Sequence, residues 1–185
     1  MSHRHPIRLL LREHGICGGT ETVNLHLIKE FTELAELVVW VMPSWRFKYF
    51  QEVLPASDRL IYQTPAWPRE SRIPHALEKA MRFVLRQKTV PLRFAFEKLQ
   101  RALSNLWLSR VIRKHGITHC FCNWIFRVDV PRVKVPIAAM LMDVRWKYFP
   151  ETFPGVDIDK EDQQFCDWLA KSSIVFPVSE VTAAD

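Results

Sequence analysis

The sequence predicts an α/β protein built on a doubly wound, mainly parallel sheet. Short apolar runs alternate with stretches of 3–4 apolar spacing along the whole chain. The first strand, a glycine turn, a helix and the second strand fit within about 36 residues, a βαβ unit whose crossover implies parallel pairing. With 185 residues, 48% hydrophobic and 25% charged, the composition suits one globular domain over 1–185. It excludes disorder, collagen-like repeats and a disulfide scaffold.

The first strand is expected at Ile7–Leu11 (IRLLL), followed by GICGGTETV, which holds three of the five glycines, Gly15, Gly18 and Gly19. Glycine used so sparingly elsewhere suggests a backbone shape that needs it. From Thr20 the pattern turns helical, with Val23, Leu27, Phe31 and Leu34 as the apolar stripe. Leu37–Met42 (LVVWVM) is a continuous run stopped by Pro43, a buried strand. A short helix at Trp45–Val53 and a strand at Arg59–Gln63 follow. Three prolines between 64 and 74 mark a loop.

Residues 75–115 are helical in pattern and broken at Pro91. After the break Leu92, Phe96, Leu99, Leu103 and Leu106 form a stripe with Trp107 and Val111 beside it. Strands are expected at His119–Ile125, Pro136–Met142 and Ser173–Val178. The acidic loop Asp157–Asp159 and a helix over Lys160–Lys171 come before the last. This alternation predicts a Rossmann-like arrangement. The chain stops at Ser179–Asp185, a serine cap and a helix barely begun, as if a longer protein were cut one turn into an element.

The 26 Lys and Arg exceed the 20 Asp and Glu by six, inviting an anionic partner. The excess is local. Segment 69–115 holds twelve of the basic residues and three of the acidic ones, a charge of +9 that leaves −3 on the remainder. Phe83, Phe94, Phe96 and Trp107 interleave with it, giving a basic amphipathic stretch suited either to cover the sheet or to meet a membrane surface. No helix-turn-helix, RNP or zinc signature accompanies the charge, so no nucleic-acid partner is expected.

Cys120 and Cys122, two apart on a strand, should share one face as buried thiols, and no C-x-x-C pair exists among the four cysteines. The start carries no signal peptide, and no run reaches the ~18–20 apolar residues of a membrane span. The expectation is a cytoplasmic protein, with peripheral contact at the inner face of the membrane open to it.

Three constellations could carry chemistry. Gly18-Gly19-Thr20-Glu21 joins the first strand to its helix, where converging N–H groups and the helix dipole suit a phosphate. The same residues also suit a plain turn with Thr20 as N-cap and Glu21 against the dipole. Asp143 and Arg145, in MDVRW, follow a strand's carboxyl end, where open α/β sheets bind ligands; an exposed ion pair is the other reading. Ser179-Glu180 again follows a strand and starts a helix, as a cap or as ligand contacts. There is neither a G-x-S-x-G elbow nor a Walker lysine loop.

Taken in order, Gly18-Gly19-Thr20-Glu21, Asp143, Pro150-Glu151, Phe153-Pro154 and Val178-Ser179-Glu180 resemble the amino-terminal half of GT-B glycosyltransferases of family 4, especially the mannosyltransferase-like members. The likeness covers about 7–43 and 119–185. It implies the acceptor-side domain of a two-domain enzyme, with a nucleotide-sugar as donor and a glycan or lipid-linked acceptor. It also implies that the glycine loop approaches the donor phosphates and that Asp143 is the catalytic group. Arg145, Thr20, Glu21, Ser179 and Glu180 would line the substrate site. Neither a metal nor a further cofactor is implied, since basic side chains and helix termini can neutralise a diphosphate. Met142 stands where that family carries histidine. The other class of function that fits is a non-catalytic Rossmann-like module docking on a membrane or partner through 69–115.

Overall fold

The computed structural model describes residues 6–12, 19–54, 56–64, 90–125, 130–141, 145–152 and 157–178. Six strands form one sheet: β1 (Arg8–Arg12), β2 (Leu37–Val41), β3 (Leu60–Gln63), β4 (His119–Cys122), β5 (Ile137–Leu141) and β6 (Ile174–Pro177). Their order is β3-β2-β1-β4-β5-β6 and every pair is parallel. This is the strand order of Rossmann-like folds, reversing direction between β1 and β4.

Strand alternation sends side chains into two cores. Leu10, Val39, Cys120, Ala139 and Leu141 face one side. There they meet α3 (Val90–His115) through Leu108 and Val111, and α5 (Ile158–Lys171) through Trp168. Leu9, Leu11, Val38, Trp40 and Phe121 face the other side. They meet Ile28 of α1 (Gly19–Leu34) and Phe50 of α2 (Ser44–Val53). A strand covered on both faces must be apolar at every position, and β2 is buried throughout. Trp40 sits 4.5 Å from the Phe50 ring and 5.9 Å from the Tyr62 ring, and such pairs add modestly to plain burial.

The expected strands and helices recur within a residue or two, except that β4 stops at Cys122, three residues early. Two stripes differ from expectation. In α1 the buried positions are Asn24, Ile28 and, just past its end, Ala35, while Leu34 is 76% exposed. Leu27 and Phe31 of the expected stripe do pack against the core, so the departure is the exposure of Leu34 and the burial of Asn24 beside them. In α3 the buried positions are Leu108 and Val111, while Leu99 and Leu106 are 53% and 58% exposed. Pro91 lies in the first turn of α3, where a missing N–H costs nothing. The segment 75–89 and most of the 64–74 loop lie outside the described residues.

Caps set the ends. Asp157 accepts a hydrogen bond from the Lys160 N–H at 3.2 Å, so the acidic stretch is the cap and first turn of α5 rather than a loop. Gly116, at φ 59°, ends α3, and the Ile117 N–H reaches the Ile112 carbonyl at 3.0 Å, a Schellman closure. The chain then enters β4 beside β1, held by Thr118. Its hydroxyl oxygen accepts from the Arg8 N–H at 2.9 Å, and the Thr118 N–H donates to the Arg8 carbonyl at 2.8 Å.

Candidate functional site

Because all six strands run parallel, their carboxyl ends share one edge of the sheet. The strand order reverses between β1 and β4, and in open α/β sheets such a switch point at the carboxyl edge is where a ligand crevice is expected. Arg12 ends β1, Cys122 ends β4, and the two are register partners. Asn123 follows at once and is fully buried. Its Nδ2 donates to Oδ1 of Asn24, which is equally buried in the second turn of α1. The remaining amide atoms, Nδ2 of Asn24 and Oδ1 of Asn123, have no hydrogen-bond partner. Burying two amides is costly unless they pair. This pair fastens the start of α1 to the end of β4, across the point where the strand order reverses.

On the α3/α5 side of the crevice lie Cys120 and Cys122, both free thiols in the core, as the two-residue spacing predicts. Their mutual hydrogen bond and burial push the Cys120 thiol well above its usual range. Cys120 therefore stays a neutral packing group near pH 7. On the α1/α2 side Arg46 is buried in the first turn of α2, its guanidinium 5.0 Å from the centre of the Phe50 ring. A cation over an aromatic face is favourable when shielded from water. Arg12 and Arg46 thus add positive charge beside the carboxyl ends of β1 and β2.

Gly19 is the first residue of α1, and Thr20 and Glu21 fall in its first turn. Thr20 is therefore inside the helix and not at its N-cap. The helix points its amino end toward the carboxyl edge of the sheet, as the connection from β1 requires. Arg145 opens α4 (Arg145–Tyr148), which precedes a 3₁₀ turn at Pro150–Thr152 holding Glu151. Gly18, Asp143, Ser179 and Glu180 lie outside the described residues, as do Phe153-Pro154. Chain order alone puts Asp143 two residues beyond the end of β5 and Ser179 two beyond the end of β6. The predicted residues therefore belong to connections leaving one edge, at β1, β5 and β6.

Sequence reasoning passed over Asn24, Asn123 and Arg46. Each left a signal. Asn24, Ile28, Phe31 and Ala35 share one helical face, so an amide stands in line with apolar residues. Arg46, Phe50 and Leu54 are likewise four apart. Asn123 interrupts the run HCFCNWI where a strand was expected to continue.

Among the described residues no group of three or more His, Cys, Asp or Glu side chains is placed to hold a metal ion. No helix among them is long and apolar enough to cross a membrane. No protein-family model matches the chain, and no curated protein matches it significantly.

Proposed function

We propose that this chain is the acceptor-side half of a GT-B-type glycosyltransferase, transferring a sugar from a nucleotide-sugar to a glycan or lipid-linked acceptor. One observation carries the reading. In chain order the motifs that resemble family 4 follow β1, β5 and β6, whose carboxyl ends share one edge of a parallel sheet ordered β3-β2-β1-β4-β5-β6. In open α/β sheets that edge is where ligands bind.

In this reading the amino end of α1 receives the donor diphosphate. The N–H groups of its first turn have no partners within the helix and the dipole there is positive, so an anion is stabilised without a side chain. Glycine at 18 and 19 lets phosphate oxygens approach the backbone. Arg12 and Arg46 raise the local positive potential. The Asn24–Asn123 pair holds α1 against β4, keeping those donors at a fixed position relative to the sheet. Asp143 orients a hydroxyl of the acceptor or donor. Fixed donors facing the leaving diphosphate lower the barrier because they need no reorganisation as charge develops. A second domain would supply the remaining donor contacts, and mannose is the sugar that the mannosyltransferase-like resemblance favours.

Thermal-shift screening of nucleotide-sugars tests the reading, using the wild-type chain and a Gly18→Asp, Gly19→Asp variant. Acidic residues suit a helix amino end, so the variant should fold, which circular dichroism checks. They would repel a diphosphate. The expected result is stabilisation of the wild type by at least one nucleotide-sugar and none of the variant. Equal responses, including none from either protein, would overturn the reading.

A further inference from the structure

We infer that the outward face of α3 docks on an anionic lipid surface. In the sequence, Leu99, Leu103 and Leu106 belong to the stripe expected to pack inward, yet the helix packs through Leu108 and Val111. Leu99 and Leu106, two turns apart, remain more than half exposed. Ala102 lies between them on the same side and is exposed. Arg110 and Arg113 continue that side toward the carboxyl end of the helix, and Lys98 and Lys114 stand on its flanks, all four exposed. From 98 to 115 there is not one Asp or Glu.

A water-facing helix ordinarily carries polar residues at the centre of its outer face. Here the centre is leucine and the margin is cationic. That is the pattern of a helix lying in the membrane interface, its apolar residues entering the acyl boundary while lysine and arginine reach the headgroup phosphates. The charge complementarity chooses the occupant. A neutral surface would gain nothing from the cations. A polyanion such as nucleic acid would gain nothing from the leucines, whereas an anionic headgroup layer over an acyl phase uses both. Among the described residues no helix can cross the bilayer, so the contact is peripheral. The contact does not rest on the glycosyl-transfer reading.

Co-sedimentation of the full chain with vesicles tests this without any nucleotide-sugar, so its failure is separate from failure of the enzymatic reading. The vesicles are phosphatidylcholine alone, or phosphatidylcholine with phosphatidylglycerol. The wild type should bind the mixed vesicles, bind neutral ones far less, and dissociate as salt rises. Arg110→Gln with Arg113→Gln should weaken partitioning about 30-fold, at about fivefold per charge. Leu99→Ser with Leu106→Ser should weaken it at least about tenfold, from lost apolar insertion. All four positions are exposed, so the variants should keep the wild-type circular dichroism. Equal binding to both vesicles, or no binding, would overturn the inference. So would a leucine variant that binds like the wild type, the behaviour of a basic surface acting by charge alone.

Discussion

Asn24 and Asn123 lie in different elements, 99 residues apart in the chain, yet one hydrogen bond joins their side chains in a dry setting. Replacing either alone with leucine strands the surviving amide, at a cost of about 1–3 kcal/mol. Replacing both removes the stranded group, so the double variant should lose less than the sum of the singles. Urea denaturation of the four proteins gives that comparison directly. His115 makes a second residue-scale prediction. Burial, then the charges of Lys114 and Arg8, hold its imidazole below the usual 6.5, and its Nε2 is buried without a partner. The folded chain therefore resists a proton that the unfolded chain accepts. The resulting stability is present above pH 6.5 and lost as pH falls below it. The urea midpoint should fall between pH 7.5 and 5, and His115→Gln should reduce that fall.

At the scale of elements, the connection from α3 into β4 depends on one glycine. Gly116 holds φ at 59°, and a Cβ added there would come within 3.4 Å of the Arg8 guanidinium. Gly116→Ala should cost about 1–2 kcal/mol, read as a lower thermal midpoint with the same circular dichroism. The central strands were legible because burial on both faces leaves little choice of residue, as in LVVWVM, which is buried throughout. Helix orientation was less legible. Two apolar stripes compete on α3, and spacing cannot tell which one the sheet will cover. On α1 Leu27 and Phe31 face the core as the stripe predicts, while Leu34, in the last turn, is exposed and Asn24 is buried. The Asn24–Asn123 pair was not legible as a pair, since its two halves sit on elements that only the tertiary fold brings together. Gly18, Asp143 and Ser179 lie outside the described residues, and only their chain positions, after β1, β5 and β6, relate them to the sheet.

For the whole molecule, the excess positive charge divides the protein by task. The sheet and its carboxyl edge belong to a mildly acidic remainder, with Arg12 and Arg46 as local exceptions, while the long helix α3 carries five cations and no acid between 98 and 115. The central claim concerns the edge: the amino end of α1, reached from β1 through Gly18 and Gly19, receives a nucleoside diphosphate group. Calorimetric titration of the chain with a nucleotide-sugar, beside the matching nucleoside without phosphates, tests it most directly. The account predicts saturable heat from the nucleotide-sugar, little from the nucleoside, and loss of the signal in the Gly18→Asp, Gly19→Asp variant. Equal binding of nucleoside and nucleotide-sugar, or an undiminished signal from the variant, would contradict it.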